Sequence, residues 1–365
     1  MTQTTTSTYR NLIILAGACF AGALVAWFAG AGDWIAPGLI LGFLLMGIGV
    51  RGYPLLKGFS FTFSIFAGVA LALTFPQYFV KIGDFKLSRL ILPLLQIIMF
   101  GMGTALSWKD FARVAKMPKG ILVGILCQFT IMPLVGLTVT KVFAFPPEIA
   151  AGIILVGSCP SGLASNVMSY LAKANLALSV SLTAVATLLA PLLTPFLMKL
   201  LGGQYIEVNA LGMLWDITKI VILPIIAGLV FNHFLHGKTP WLDAAMPVVS
   251  MVGIAVIIMI ITAAGRDSLM TIGPLLILAT LVHNLTGYLL GYWGARAFRM
   301  SEKDCRTVAL EVGMQNGGLA SGLALTMGKL ATVGLAPAVF GPMMNITGSS
   351  LAIWWGSKPL KEEGG

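Results

Sequence analysis

The amino-acid sequence predicts an all-α polytopic membrane protein. Of its 365 residues, 58% are apolar and 10% are charged, whereas soluble proteins carry about 25% charged residues. Apolar runs of about 18 or more residues, long enough to cross a bilayer as a helix, recur along the whole chain. Two of these runs contain a similar polar interruption, and both interruptions include Gly-Leu-Ala-Ser, at 162–165 and 318–321. Little of the chain is left for a soluble domain.

About twelve apolar segments follow one another: 11–30, 35–50, 58–79, 88–107, 119–142, 148–172, 177–200, 210–235, 244–264, 271–296, 305–330 and 333–356. The second is short and contains Pro37 and several glycines, so it is the least regular. Residues 1–32 also fit a signal peptide. A second apolar run follows almost at once, which favours a membrane helix.

The basic residues predict the topology. With a cytoplasmic N-terminus, the inside stretches hold roughly twice as many Lys and Arg residues as the outside stretches, as membrane proteins do. The two largest clusters are Lys109, Arg113, Lys116 and Lys119, and Arg296, Arg299, Lys303 and Arg306. We therefore expect a multi-pass cell-membrane protein, in a bacterial inner membrane, with both termini cytoplasmic. The net charge of +10 reflects these loops and does not indicate nucleic-acid binding.

The two interruptions reveal an internal repeat. Ser165 and Ser321 are 156 residues apart and lie in the sixth and eleventh segments. A unit of five spans is odd, so the second copy must be inserted upside down. Inverted repeats with interrupted segments at matching positions are typical of the binding site of a secondary transporter. The first two segments then lie outside the repeat.

The first interruption breaks a helix. Pro160 removes a backbone donor and disfavours helix at Cys159, which predicts a stop near 158 and a restart near 163–165. The freed N–H and C=O groups must face protein, water or ligand, and Ser165 and Asn166 supply side-chain oxygens at the restart. The alternative is a proline kink satisfied by neighbouring helices.

The second interruption contains an acid. A helix starting near Cys305 places Glu311 about 9 Å along its axis, within the membrane. A buried carboxylate costs several kcal/mol unless it is paired or binds a cation. A bound Na⁺ would offset this cost, with neutral oxygens from Gln128, Asn166 and Gln315 nearby. Two alternatives stay open: a carboxyl kept protonated by burial, and a proton carrier.

Other polar residues extend this picture. Ser179, Thr183 and Thr187 fall at i, i+4 and i+8, on one face of the helix after the first break. Serine and threonine in membrane helices often bond only to helix carbonyls or between helices, but three in register after a broken helix favour ion ligation. His283 and Asn284 are interpreted as forming hydrogen bonds between helices. Asn284 also lies one repeat spacing after Gln128. We assign the many methionines and the four cysteines to packing.

Four motifs resemble those of the bile acid:sodium symporter (BASS) family, over about residues 58–356. They are Gly157-Ser-Cys-Pro-Ser-Gly-Leu-Ala-Ser-Asn-Val-Met168, Glu311-Val-Gly-Met-Gln-Asn316, Ile97-Ile-Met-Phe-Gly-Met-Gly103 and Ala190-Pro-Leu-Leu-Thr-Pro195. The resemblance implies two inverted five-helix repeats with broken, crossing helices, divided into a panel and a core. The expected division is 1–57 (extra N-terminal helices), 58–118 (panel), 119–200 (core), 201–270 (panel), 271–356 (core) and 357–365 (cytoplasmic tail).

The resemblance also implies two sodium ions behind the crossing. Carried over by motif, the first site comprises Ser165, Asn166, Ser179, Thr183 and Glu311. The second comprises Gln128, Glu311, Val312, Met314 and Gln315, where the carbonyls of Val312 and Met314 come from the resemblance alone. The expected substrate-binding residues are Leu163, Asn316, Gly317, Gly318 and Asn345. Leu163 is a departure, because the family often has a threonine there.

The expected function is sodium-coupled symport of an organic anion (bile-acid-like, pantoate-like or a 2-keto acid) by alternating access. A proton-coupled transporter or exporter on the same scaffold, with Glu311 as proton carrier, is the alternative. An enzyme is not expected, because His283 is the only plausible mid-membrane base and no nucleophile accompanies it. The inverted broken helices disfavour a channel. The expected partners are the lipid bilayer and the anion, with no organic cofactor, nucleic acid or obligate protein partner.

Overall fold

The computed structural model describes residues 3–53, 56–235 and 239–358. Its first-half helices are α1 (Gln3–Phe28), α2 (Ile35–Gly49), α3 (Ser60–Thr74), α4 (Gln77–Val80), α5 (Ile91–Thr104), α6 (Trp108–Val114), α7 (Pro118–Phe143), α8 (Pro147–Ser158), α9 (Ala164–Leu171) and α10 (Leu176–Leu197). The second half contains α11 (Ala210–Ile217), α12 (Leu223–Leu235), α13 (Pro240–Ala264), α14 (Arg266–Ala297), α15 (Glu302–Gly313), α16 (Gly317–Thr326) and α17 (Leu335–Ser357).

The all-α membrane fold predicted from the sequence is confirmed. Over the described residues, nine helices are long and apolar enough to cross a membrane. A π-helical turn, Thr218–Ile222, joins α11 to α12 within one of these nine. The broken pairs α8–α9 and α15–α16 and the 23-residue helix α17 account for the other three predicted segments. Each of the twelve predicted apolar segments therefore corresponds to one helix or one interrupted pair of helices.

Two boundaries differ from the prediction. The third segment was expected to reach residue 79, but α3 ends at Thr74, because Pro76 disfavours helix before it. A short antiparallel hairpin follows, β1 (Lys81–Ile82) with β2 (Phe85–Lys86). Gly83 makes its turn at a φ of +58°, where glycine is favoured. The fourth span ends at Thr104, and the separate helix α6 follows it.

Helix contacts show a pseudo-two-fold arrangement of the two five-span units. Helix α5 packs on α12, and α13 packs on α3 in the matching position. Likewise α7 contacts α8 and α10, as α14 contacts α15 and α17. The broken spans make matching contacts: α8 of the first unit contacts α17 of the second, and α15 of the second unit contacts α10 of the first. Each unit contains five spans, so the two-fold relation places the two units in opposite orientations.

The two additional N-terminal helices lie at the edge of this arrangement. Helix α1 packs on α2, and α2 packs on α3. Gly38 allows close contact of α2 with α1, since a Cβ there would lie 2.9 Å from the Ala23 Cβ. Val25 and Trp27 are exposed, as lipid-facing apolar side chains are. Most of the tail expected at 357–365 falls outside the described residues, which end at 358.

Candidate ion and substrate site

The two broken helices cross, and their unwound segments pair. Between α8 and α9, Gly162 donates its backbone N–H to the Met314 carbonyl at 3.0 Å. In return, the Asn316 N–H donates to the Pro160 carbonyl at 2.8 Å. Ser161 and Gln315 thus face each other in an isolated antiparallel bridge. The predicted stop near 158 and restart near 163–165 are confirmed by α8 ending at Ser158 and α9 beginning at Ala164.

Three side chains from other helices, and Gln315 from the second break itself, satisfy the carbonyls that the breaks set free. Four such bonds are made: Thr194 Oγ1 to the Ser158 carbonyl (2.8 Å), Gln128 Nε2 to Cys159 (3.0 Å), Asn284 Nδ2 to Gly313 (2.8 Å) and Gln315 Nε2 to Val312 (2.6 Å). An unpaired carbonyl in a membrane interior costs several kcal/mol. These amides and the threonine therefore stabilise non-helical backbone at the centre of the protein.

The Glu311 carboxylate lies at the crossing and is 3% exposed. Four hydroxyl groups donate to it. Ser165 and Ser179 reach Oε1, both at 2.5 Å, while Ser161 and Thr183 reach Oε2 at 2.6 and 2.8 Å. None of the ion pairs found among the described residues includes this carboxylate. It is thus a buried acid surrounded by neutral oxygen atoms.

The nearest candidate cation on the same helix is already paired. Arg306 is 4% exposed, and its Nε donates to Glu302 Oε1 at 2.8 Å. Its Nη1 donates to the carbonyls of Ala172 and Trp355 at 3.3 and 3.0 Å. Arg306 is therefore paired with Glu302 and with two backbone carbonyls from other elements, and among the described residues it forms no ion pair with Glu311.

The structure brings together all five residues expected at the first sodium site. Asn166 completes the set, because its Oδ1 lies 2.8 Å from the Ser179 hydroxyl oxygen and 3.3 Å from that of Thr183. The Thr187 hydroxyl donates to the Thr183 carbonyl of its own helix at 2.7 Å, and a part for Thr187 in ion ligation stays a prediction. Ser161 was missed in the sequence, although it directly follows Pro160 at the break.

The residues expected at the second site also converge. Gln128 Nε2 donates to Gln315 Oε1 at 2.9 Å, and Gln315 contacts the Val312 carbonyl as described above. The Met314 carbonyl accepts a hydrogen bond from the backbone N–H of Gly162, which lies in the first break. Gln128 Oε1 is buried and has no hydrogen-bond partner among the described residues, whereas buried polar atoms are normally paired. Neutral amide and carbonyl oxygens of this kind are donors that a hard cation prefers.

A cavity of about 360 Å³ lies beside the crossing, between α3, α5 and α13 on one side and α9, α16 and α17 on the other. It is lined by all five residues expected to bind substrate: Leu163, Asn316, Gly317, Gly318 and Asn345. Gly58 and Leu171 also line it, and both are exposed. The cavity therefore extends toward the face that carries Lys57 and the 172–175 loop, which the basic residues predict to be cytoplasmic.

Methionines form part of the cavity lining. Five of them line it: Met99, Met102, Met168, Met251 and Met344. Four of the five are also buried, in keeping with the packing role expected from the sequence. Methionine is flexible and polarisable, and it is common on surfaces that accept several apolar shapes. These residues contribute apolar surface to the cavity.

Inverted five-span units, two broken helices crossing at a buried carboxylate, and an adjoining cavity are the features of a secondary transporter. The chain matches the profile described as Sodium Bile acid symporter family over residues 92–272. It is 38% identical to the "Uncharacterized sodium-dependent transporter YocS" of Bacillus subtilis (strain 168), covering 87% of this chain and 97% of that protein. The chain belongs to this family of sodium-dependent membrane transporters.

Two further relatives show how widely the family is distributed. The "Probable sodium/metabolite cotransporter BASS1, chloroplastic" of Arabidopsis thaliana is 36% identical, covering 74% of this chain and 67% of that protein. The "Ileal sodium/bile acid cotransporter" of Oryctolagus cuniculus is 32% identical, covering 64% of this chain and 69% of that protein. The similarity thus extends to proteins named for different solutes.

Proposed function

We propose that this protein is a sodium-coupled symporter of an organic anion that works by alternating access. The observation that carries the proposal is Glu311, a buried carboxylate with four hydroxyl donors and no basic partner among the described residues. Hydrogen bonds stabilise such a charge only in part. A cation bound at this position supplies the missing countercharge.

Sodium fits both oxygen clusters. The first is built on Ser165, Asn166, Ser179 and Thr183 with Glu311, and every one of these side chains carries an oxygen that can ligate. The second uses Gln128 and Gln315, the Val312 and Met314 carbonyls, and the same Glu311. We propose that Glu311 contributes to both ions. The unpartnered Gln128 Oε1 supports the second of these sites.

The cavity supports an amphipathic anion as substrate. No lysine or arginine lines it among the described residues, so the anion is recognised without a full positive charge. The side-chain amides of Asn316 and Asn345, and the N-termini of α9 and α16, offer hydrogen-bond donors and positive dipole ends. The apolar part of the solute then packs against Leu163 and the methionines that line the cavity. Bile-acid-like, pantoate-like and 2-keto acids share this chemistry.

We propose that the core (119–200 and 271–356) rocks against the panel (58–118 and 201–270). The cavity lies between helices of these two units, so a change in their relative position opens it to one face or the other. Both broken spans belong to the core, and each contains proposed sodium ligands as well as cavity residues. Sodium and anion therefore favour the same state, and each tightens binding of the other.

Uptake into proteoliposomes tests this function. We expect accumulation of radiolabelled pantoate, taurocholate or a 2-keto acid under an inward Na⁺ gradient, and only equilibration when K⁺ replaces Na⁺. Equal uptake of a carried anion in both salts would refute sodium coupling. Accumulation driven by an inward proton gradient, without Na⁺, would instead support the proton-coupled alternative with Glu311 as the carrier.

A further inference from the structure

Helix α17 lies between the cavity and the segment expected to hold the second sodium ion. One face lines the cavity through Pro337, Gly341 and Asn345. The opposite face carries Thr347, whose Oγ1 donates to Asn284 Oδ1 on α14 at 2.6 Å. The same helix therefore contacts substrate space on one side and a buried polar group on the other.

Asn284 extends this contact to the broken helix α15. It is fully buried, and its Nδ2 donates to the Gly313 carbonyl at 2.8 Å. Gly313 is the last residue of α15, between the Val312 and Met314 carbonyls of the proposed second site. Thr347 and Asn284 thus form a continuous hydrogen-bonded connection from α17 to the backbone that presents those carbonyls.

A second contact between α17 and this segment is steric. A Cβ placed on Gly348 would lie 2.9 Å from Met314 Sδ and 3.0 Å from the Tyr288 hydroxyl. Tyr288 itself donates to the Met344 carbonyl of α17 at 3.2 Å. The Met314 side chain therefore packs closely against α17 at Gly348, next to the residue that Asn284 binds. Helix α17 thus contacts the 313–314 segment through one packing contact and one hydrogen-bonded connection.

The repeat shows what Asn284 does. Gln128 lies 156 residues earlier and binds the carbonyl of Cys159 at the first break, just as Asn284 binds Gly313 at the second. The two amides differ in their remaining oxygen. Gln128 Oε1 has no hydrogen-bond partner in the described part of the chain, whereas Asn284 Oδ1 accepts the Thr347 hydroxyl. In the second repeat a hydroxyl of α17 thus pairs with the amide oxygen whose counterpart in the first repeat is unpaired there.

We propose that Asn284 and Thr347 are positioning residues for the second sodium site, through which the substrate-cavity wall α17 controls the geometry of that site. This inference rests on the proposed sodium coupling. Groups that orient metal ligands through one intervening hydrogen bond typically change metal affinity by about 10–100-fold when they are removed. Loss of the Thr347 hydroxyl leaves the Asn284 amide free to rotate away from Gly313.

The test is a sodium titration of the purified full-length protein. The thermal unfolding temperature is measured at constant ionic strength in mixtures of Na⁺ and K⁺. Thr347→Val keeps the shape of the side chain and removes the hydroxyl. We expect its half-saturating Na⁺ concentration to rise by about tenfold and the Hill coefficient to fall toward 1, because only the first site still binds well. Thr347→Ser restores the hydroxyl and should restore both values.

Two further variants separate this role from general damage. Ser350→Ala removes a hydroxyl of α17 that only contacts its own helix, at the Ile346 carbonyl, and should titrate like the wild type. Gly348→Ala presses on Met314 and should weaken sodium binding even if Thr347→Val does not fold. A wild-type titration curve for Thr347→Val, or for Gly348→Ala when Thr347→Val does not fold, would overturn the proposal. If Na⁺ does not change the thermal stability of the wild-type protein, the proposed function itself is refuted.

Discussion

Replacing Glu311 by glutamine removes one charge and almost no volume. The amide oxygen still accepts from Ser165 and Ser179, which reach Oε1. The amide nitrogen faces Ser161 and Thr183, whose hydroxyls turn to accept a hydrogen bond in place of donating one. The side chain therefore stays hydrogen-bonded at the crossing, and we expect Glu311→Gln to fold.

The substitution should have opposite effects in the two salts. Without sodium, the native carboxylate is buried with hydrogen bonds alone, so the variant should be at least as stable in K⁺ buffer. With sodium, the ion loses an attraction of about 4 kcal/mol, taking 4 Å and an effective dielectric of about 20. Since each 1.4 kcal/mol is tenfold in affinity, the sodium affinity should fall roughly a thousandfold.

Thermal unfolding in Na⁺ and in K⁺ measures both effects. The native protein should be stabilised by sodium, by about 2.7 kcal/mol at a concentration of 100 times Kd, and Glu311→Gln should show no sodium-dependent shift. Glu207→Gln makes the same chemical change at an exposed position and should behave as the wild type. Full sodium stabilisation of Glu311→Gln would refute the reasoning, because the carboxylate would then not be a ligand.

Three further changes probe other parts of the structure. Gln128→Leu removes the unpartnered oxygen, and in a sodium titration of thermal stability we expect the Hill coefficient to approach 1; an unchanged curve would contradict the second site. Gly228→Ala places a methyl group against the Phe100 carbonyl and should lower stability to thermal unfolding by about 1–3 kcal/mol, whereas Gly17→Ala, with open space around it, should not. Leu163→Thr removes apolar lining from the cavity. Competition assays should show that its selectivity shifts several-fold toward hydroxylated anions, which corresponds to about 1 kcal/mol. Unchanged selectivity would mean that the solute binds elsewhere.

The breaks were predictable because their signals are local. A proline within an apolar run removes a hydrogen bond wherever it lies, and Pro160 therefore fixes the end of α8 to within a residue or two. Glu311 was equally visible, since an acid in an apolar segment needs compensation from elsewhere. The repeat spacing then connected the two breaks, although nothing in either segment alone shows that they pair.

Partners that come from distant parts of the chain were not predictable in the same way. Thr194 binds a freed carbonyl 36 residues away, and nothing in its own segment indicates that partner. Asn284 was expected to form a hydrogen bond between helices, which its bond to the Gly313 carbonyl confirms, but the sequence did not identify that carbonyl. Ser161 was one of several serines near the break, and only the crossing geometry turns it toward Glu311. Thr187 satisfied the helical periodicity but bonds its own helix, as threonine in membrane helices often does.

The neutral surroundings of Glu311 follow from the charges that the proposed cycle must carry. With both sodium ions and a monovalent anion bound, the fixed carboxylate leaves the loaded site with no net charge. The empty site returns with one negative charge, which the hydroxyls of Ser161, Ser165, Ser179 and Thr183 stabilise. A lysine or arginine beside Glu311 would neutralise the empty site but leave the loaded site positive by one charge in a low-dielectric interior. Hydroxyl ligands thus serve both states, because they donate to the carboxylate when the site is empty and offer oxygen to sodium when it is full.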